Sequence, residues 1–150
     1  MLTIVPIDEL ANRAGIELGV TDGVRVTQQM VNAFAEVTGD RQWIHTDPIR
    51  AAASPFGGTI AHGYLTLSLA PVLLEQVLPL EGYALTVNYG LDRLRFPAPL
   101  RVGESVRMRV TLDAVDPIPG GARLTLTLIF EPTAGGKPVC VATAIYRIVE

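Results

Sequence analysis

The sequence is poor in cysteine and in charge, and each shortage excludes a class of protein. Cys140 is the only cysteine among 150 residues, so neither an internal disulfide nor a pair of thiolate metal ligands can form. Charged residues make up only 18% of the chain, with 12 basic and 15 acidic side chains and a net charge of −3. No cluster of lysine or arginine is visible, so we expect no nucleic-acid partner.

Long hydrophobic runs are also missing. No apolar stretch approaches the roughly 18 residues that a membrane-spanning helix requires, so we expect no membrane partner. The amino terminus, MLTIVPIDEL, has neither a basic region nor a long apolar core, and we therefore expect no signal peptide and a cytoplasmic location. Hydrophobic residues nevertheless make up 49% of the chain, which is enough for a domain of this length to form a buried core.

Three short helices are predicted in the first third of the chain from their end signals. PIDELANRAG places apolar residues on one helical face and ends at Gly15. TQQMVNAFAEVTG predicts a helix that begins near Thr27 and stops at Gly39. In DPIRAAAS, Asp47 is the predicted N-cap and Pro48 the first helical residue. The intervening segment, GDRQWIHTDP, is predicted to be a connection without regular structure.

A longer helix is predicted over AHGYLTLSLAPVLLEQVL, because apolar residues cover every side of it. A helix with this pattern in a soluble protein is buried on most sides. Pro71 lies inside the pattern and predicts a kink or an interrupted turn.

The second half of the chain has the alternating pattern of strands. After Gly82 the apolar residues recur with a period of two, and a change of parity between Gly90 and Arg93 predicts a β-bulge. Further strands are predicted over 106–114 and 122–130, separated by the turn DPIPGG. The last run, PVCVATAIYRIV, is apolar on both parities, and we therefore expect it to be central in the sheet or at a subunit interface.

The order of these elements favours one architecture. The chain has short helices, then one buried helix, then a strand-rich meander. An α+β fold in which a curved antiparallel sheet wraps around the helix accounts for this order. This arrangement is the hot-dog fold. We expect residues 1–150 to form a single domain of this kind.

Asp40 and His45, both within GDRQWIHTDP, are a potential acid and base five residues apart. The alternative interpretation is that Asp40 caps a turn and His45 packs under Trp43. We predict no metal site, because one histidine and one carboxylate are too few ligands and His62 is the only other imidazole.

Gly63 opens the predicted buried helix in GGTIAHGYL. A helix amino terminus presents unpaired N–H groups and the positive end of the helix dipole. Because glycine has no side chain, a ligand oxygen can approach the Gly63 amide closely, as a developing oxyanion requires. The alternative is that glycine only allows the helix to pack tightly where it enters the sheet.

FAEVTGDRQWIHTDPIRAAASPFGGTIAHGYLTLSLAP resembles the hydratase 2 signature of the MaoC-like dehydratases, the (R)-specific enoyl-CoA hydratases. The detailed match covers residues 27–71, and NYGLDRLRFPAPLRVG is similar to the second half of the family. The GDxQWIH pattern resembles that of single-domain actinobacterial (3R)-hydroxyacyl-thioester dehydratases. The resemblance implies a hydro-lyase of fatty acid metabolism that acts on an acyl-CoA or acyl-carrier-protein thioester, needs no cofactor and forms a homodimer.

The resemblance also implies roles for individual residues. It assigns the catalytic aspartate and histidine to Asp40 and His45, and the oxyanion-hole amide to Gly63. Many members have Asn-Pro where this chain has Gln42-Trp43, so Gln42 is a candidate for the orienting role of that asparagine. The residues that we predict to bind substrate are Gln42, Trp43, His62, Ser68, Asn88 and Tyr89.

A second departure from the family pattern concerns the helix. Some members place a serine beside the aspartate, and this chain has Pro71 at that position. Ser68 lies one turn earlier and is either a substitute for that serine or an ordinary helix residue.

Substrate contacts outside the motif are expected from two groups of residues. Apolar faces of the buried helix and of 83–91 are expected to enclose a short or medium acyl chain, and apolar walls are also expected around Asp40. Candidate contacts for the phosphates of the thioester are Arg93, Arg95, Arg101 and Arg107.

Two other functions remain open from the sequence. An acyl-CoA thioesterase of the same architecture often uses a carboxylate on the helix, where Glu75 is the only acidic residue and lies near the far end. A non-catalytic module that binds acyl thioesters is the second alternative.

Overall fold

The computed structural model describes residues 5–80 and 82–150, so the first four residues of the predicted domain lie outside the described part. Helices and strands alternate only in the first quarter of the chain. The helices are α1 (Ile7–Ala11), α2 (Gln28–Thr38), α3 (Trp43–Thr46), α4 (Pro48–Ala52), α5 (Gly63–Ser68) and α6 (Ala70–Leu74). The strands are β1 (Ile16–Val20), β2 (Val24–Arg25), β3 (Leu85–Arg95), β4 (Ser105–Ile118), β5 (Gly121–Pro132) and β6 (Cys140–Val149).

The ends of α2 and α4 are fixed by the capping residues that the sequence predicts. Thr27 is the N-cap of α2, and its hydroxyl accepts a hydrogen bond from the amide of Met30 at 3.2 Å. Gly39 ends α2 in the left-handed region, with φ 83°. Asp47 caps α4, where its carboxylate accepts from the amide of Arg50 at 3.1 Å. Both helix predictions are confirmed.

The segment between α2 and α4 is not the irregular connection that the sequence analysis predicts. Residues 43–46 form the one-turn helix α3, with Gln42 as its N-cap. The hydroxyl of Thr46 donates to the carbonyl of Gln42 at 3.2 Å and closes this turn. A single helical turn has no hydrophobic period of its own, so the pattern of the sequence did not indicate it.

The predicted long helix is two short helices. α5 and α6 meet at Leu69, and Pro71 lies in the first turn of α6, so the predicted interruption is confirmed. Leu73 and Leu74 of α6 are fully buried in the core. Tyr64 and Val72 are exposed, however, and the prediction of burial on most sides is therefore wrong for one side of the helix pair in the single chain.

The strands form one antiparallel sheet in the order β1-β4-β5-β6-β3, and β2 pairs with β4 beyond the end of β1. β4, β5 and β6 alternate between fully buried and half-buried residues. Their buried residues join those of α5 and α6 in one core. β6 lies between β5 and β3, which confirms its predicted central position. β1 and β2 were not predicted.

β3 is an edge strand with two irregularities. Its register against β6 shifts between Asn88 and Gly90 and again between Leu91 and Arg93, which confirms the predicted bulge. Four apolar side chains of β3 are 42–58% exposed, those of Leu85, Val87, Tyr89 and Leu91, whereas Leu94 packs partly buried against the core. The strand therefore leaves an apolar edge unpaired in the single chain.

The architecture is the predicted one, a curved antiparallel sheet that packs around a central helical segment in a hot-dog fold. Over residues 5–80 and 82–150, no helix has both the length and the hydropathy to cross a membrane.

Candidate active site

His45 is held in one orientation by its backbone neighbours. It lies in α3 and is buried. Its Nδ1 is 2.7 Å from the carbonyl oxygen of Ile60, and since a carbonyl only accepts, Nδ1 carries the proton. Nε2 therefore presents its lone pair. Burial lowers the pKa of His45, and His62 lowers it further, whereas the bond to Ile60 and the Asp40 carboxylate act in the opposite direction.

Asp40 faces the free nitrogen of His45. Its Oδ2 lies 4.0 Å from Nε2 of His45, which is too far for a direct hydrogen bond. Its side chain is 56% exposed, and the expectation of apolar walls around it is wrong for the single chain. The neighbouring Arg41 is turned toward Glu36, to which its Nε donates at 2.9 Å, so this cation does not neutralise Asp40.

His62 joins this pair from the residue that precedes α5. Its Nε2 is 2.9 Å from the backbone carbonyl of Asp40, and its ring stacks on that of His45 with centroids 3.8 Å apart. Trp43 lies under the guanidinium of Arg50, and the ring that stacks on His45 is that of His62 rather than that of Trp43. His62 is only 3% exposed.

Gly63 and His45 line the same cavity of about 320 Å³. We call it the His45 cavity; its other walls include Ile60, Ala61, Tyr64, Thr66, Phe96, Pro99 and Val139. A Cβ on Gly63 would lie 2.9 Å from three atoms of the Phe96 ring. Tight packing is thus a sufficient reason for glycine at this position, although the amide of Gly63 is also the first of α5.

Ser68 and Asn88 lie at a second cavity, of about 390 Å³. This Ser68 cavity is lined mostly by apolar residues of α5, α6, β3, β5 and β6, among them Leu67, Pro71, Leu91, Leu128, Ala144 and Tyr146. The hydroxyl of Ser68 donates to the carbonyl of Tyr64 at 2.6 Å, as helical serines often do. The two cavities therefore border successive turns of α5.

The remaining residues predicted to bind substrate have other neighbours. Gln42 is exposed at the start of α3, and its carbonyl accepts from the amide of His45 at 2.9 Å. Tyr89 lies on β3 with its ring under the guanidinium of Arg147. Among the arginines suggested for phosphate contacts, Arg107 is ion-paired with Glu131 at 2.9 Å, and Arg101 donates to the carbonyl of Gly57 at the same distance.

Gln28 is a structural partner of the site that sequence reasoning missed. Its side-chain amide donates to the carbonyl of His45 at 2.7 Å, and its side-chain oxygen accepts from the hydroxyl of Thr59 at 2.6 Å. It thereby ties the first turn of α2 to α3 and to the segment that leads into α5. No motif signals this role, because the partners are 17 and 31 residues away.

Asp40, His45 and His62 offer ligand atoms within 4.8 Å of one another, the spacing of a possible metal site. The donors do not fit an ion well. The two imidazole planes are nearly parallel, at 24°, so their lone pairs do not converge as tetrahedral ligation requires. One nitrogen of each ring is also engaged with a backbone carbonyl.

The family profile described as "MaoC like domain" matches residues 9–122. The chain belongs to this family. The 3-hydroxyacyl-thioester dehydratase Z of Mycobacterium tuberculosis is 47% identical to it over 150 residues, covering 99% of each chain. The (R)-specific enoyl-CoA hydratase of Aeromonas caviae is 36% identical over 118 residues, covering 79% of this chain and 83% of the relative.

A solved MaoC-like structure agrees with these sequence relatives. The (R)-hydratase from A. caviae superposes with a TM-score of 0.72 at 30% identity, covering 88% of this chain and 96% of the other. Family membership, the full-length relative and this neighbour make the protein an enzyme of the hydro-lyase class.

Proposed function

We propose that this MaoC-like protein catalyses the (R)-specific hydration of trans-2-enoyl-CoA and, in reverse, the dehydration of (3R)-hydroxyacyl-CoA. The observation that carries the proposal is the separation of 4.0 Å between His45 Nε2 and Asp40 Oδ2. A water oxygen 2.8 Å from both atoms would subtend an angle of about 90°, which is compatible with hydrogen bonds to each.

In the proposed reaction, the water held by Asp40 and His45 adds to the double bond. Its oxygen bonds to C3 while one of its protons passes to the Asp40–His45 pair. The pair then delivers a proton to C2, so that it returns to its starting state after each turnover. The lone pair on Nε2 of His45 suits the first step, because burial lowers the pKa of this histidine and keeps the base form available.

The thioester oxygen is proposed to bind at the amide of Gly63. Gly63 shares the His45 cavity and begins α5, so its N–H has no partner in the preceding helical turn. Negative charge grows on this oxygen as C3 is attacked, and a donor placed in advance stabilises it. Removing one such donor typically costs about 3–4 kcal/mol of transition-state stabilisation.

The acyl chain is proposed to enter the Ser68 cavity. This cavity borders the end of α5, one turn beyond the residues of α5 that line the His45 cavity, and it is mostly apolar. A volume of about 390 Å³ is near the lower end of the range for ligand pockets, and this favours short or medium chains. The thioester is proposed to belong to coenzyme A or to an acyl-carrier protein.

The active protein is proposed to be a single-domain homodimer in the cytoplasm, with domain bounds at 1–150. The exposed apolar edge of β3 supports the dimer, since a second copy that pairs there would extend the sheet and cover this edge.

The test is hydration of crotonyl-CoA, followed by loss of the enoyl absorbance and by chiral analysis of the product. We expect (3R)-hydroxybutyryl-CoA from the parent protein. Asp40→Asn and His45→Ala are each expected to lower kcat by about 100-fold or more with the fold intact. Asp116→Asn, at an ion pair with Arg123 on the sheet surface, is the matched control. Near-parent rates in both site variants would contradict the proposal.

The same samples separate the alternatives. A thioesterase would release free CoA that a thiol reagent detects, whereas a hydratase would not. The Glu75 carboxylate accepts hydrogen bonds from the amide of Leu80 and is thus occupied as a loop anchor. A non-catalytic module would be stabilised against heat by acyl-CoA without converting it.

A further inference from the structure

We propose that His62 is a positioning residue for Asp40 and His45. It holds the Asp40 backbone through its Nε2 and the His45 ring through stacking. This inference rests on the proposed hydration reaction and adds a residue to it. His62 lies at the N-cap of α5, directly before Gly63. One buried side chain therefore contacts both members of the pair and adjoins the proposed oxyanion donor.

The first contact fixes where the Asp40 carboxylate stands. Asp40 follows the end of α2 in an exposed loop. Within the described part of the chain, its carboxylate accepts only a long hydrogen bond, 3.5 Å, from the amide of Gln42. The bond of 2.9 Å from His62 Nε2 to the Asp40 carbonyl is shorter and comes from a buried donor. Such a bond anchors the loop to α5 more firmly than its own turn does.

The second contact fixes the plane of the His45 ring. The two imidazoles stack at 3.8 Å and 24°. The bond from His45 Nδ1 to Ile60 still allows the ring to tilt about that bond, and the stacked His62 limits this tilt. Nε2 of His45 therefore keeps its direction toward Asp40. Phe34 supports His62 in turn, with ring centroids 4.9 Å apart.

The tautomer of His62 agrees with a positioning role. Its Nε2 must donate to the Asp40 carbonyl, so in the neutral form of the ring Nδ1 is the acceptor nitrogen. This Nδ1 is buried and has no hydrogen-bond partner among residues 5–80 and 82–150. A buried nitrogen without a hydrogen-bond partner is unfavourable, and an apolar side chain of similar size would fill the core without this cost. The retained imidazole is explained by the one bond that it does make.

Two variants separate the two contacts. His62→Phe keeps an aromatic ring against His45 and loses the donor to Asp40. His62→Gln places an amide N–H at about the reach of Nε2 and loses the ring. We expect kcat for crotonyl-CoA hydration to fall by up to about 100-fold in His62→Phe with little change in KM, and to be partly recovered in His62→Gln. Ile148→Val, a fully buried position on β6 that lines neither cavity, is the control for ordinary loss of packing.

The pH profile supplies a readout that a structural role would not move. Asp40 and His62 are the two titratable side chains that influence His45 in the described part of the chain, and His62 contributes to the lowering of its pKa. Because His62 contributes to the lowering of the pKa of His45, we expect its removal to raise that pKa and to move the acidic limb of kcat/KM to higher pH in both variants. Ile148→Val should lower Tm and leave this limb in place.

The role of His62 can be tested even if the protein does not catalyse hydration. The chain has only two histidines, so His62→Phe leaves a single imidazole signal, and NMR titration measures the pKa of His45 directly. An inactive parent would overturn the proposed function, and the titration would still decide the present inference. The positioning role would be overturned if a folded His62→Phe variant kept the parent kcat and acidic limb. If the parent is inactive, an unchanged titration of His45 in this variant would overturn it. If His62→Phe does not fold, an unchanged limb or titration in His62→Gln would do so.

Discussion

At the scale of a single residue, there are two possible reasons for glycine at position 63, one from packing and one from the proposed chemistry. The Phe96 ring occupies the space that a Cβ would need, and Gly63 lines the His45 cavity. A loss of activity on substitution would not by itself say which demand had failed. The close contact with Phe96 offers a way to separate them.

Gly63→Ala is expected to destabilise the protein by about 1–3 kcal/mol, because the new methyl group forces the Phe96 ring to move. Adding Phe96→Ala should recover most of the free energy of unfolding, as measured by denaturant titration. If the amide also binds the thioester oxygen and the methyl group hinders that approach, kcat should stay low in the double variant. Recovery of both stability and kcat would assign Gly63 to packing alone.

The residues of the proposed pair could be predicted from the sequence, whereas their surroundings could not. Asp40 and His45 lie in a short motif that resembles a known signature. The place of His62 depends on a contact across 22 residues, and its stacking on His45 is set by how α5 meets α3. A linear pattern contains no information about such a contact. For the same reason, the exposure of Asp40 was predicted wrongly.

At the scale of elements, the end of α2 determines where the loop that carries Asp40 begins. Gly39 leaves the helix with φ 83°, a conformation that costs other residues about 1–2 kcal/mol, except that asparagine tolerates it better. This one residue turns the chain so that Asp40 departs from the helix axis toward α3.

Gly39→Ala is expected to lower the free energy of unfolding by about 1 kcal/mol, although no atom of the described residues lies within 4 Å of the added methyl group. Gly39→Asn should lose less, since both substitutions add a side chain but only alanine strongly resists the left-handed conformation. Thermal unfolding of the two variants is the measurement. Equal losses would mean that the side chain rather than the backbone conformation sets the cost.

Elements with strong local signals were predicted well. The caps of α2 and α4 are encoded by Thr27, Gly39 and Asp47, and the central position of β6 by its apolar residues on both parities. β1 and β2 were missed because they are short and their apolar pattern is weak. They become strands only through pairing with β4, about 80–95 residues away.

At the scale of the whole molecule, the two edges of the sheet differ. β1 is short and lies beside the longer β4, whereas β3 runs for 11 residues along the other edge with apolar side chains exposed. The alternation of apolar residues in β3 could be predicted from the sequence. Whether another part of the chain covers the apolar face of this strand could not. The proposed dimer follows from that difference.

Val87→Lys is expected to convert the dimer into monomers, since an ammonium group would be placed in the apolar edge of β3. Val20→Lys is the matched control, because Val20 is 38% exposed on β1 and Val87 43% exposed on β3. Light scattering should report monomer for the first variant and dimer for the second. The same mass for both variants, or a monomeric parent, would contradict pairing through β3.

The buried position of Cys140 has a practical consequence for the whole protein. Cys140 is at the start of β6, and burial raises the pKa of its thiol to about 12. An aromatic disulfide reagent should therefore not react with the folded enzyme, and colour in a CoA-release assay would come from coenzyme A alone. When the sheet opens, the same sulfur becomes reactive. The rate at which the reagent labels Cys140 under native conditions therefore reports how often the sheet opens.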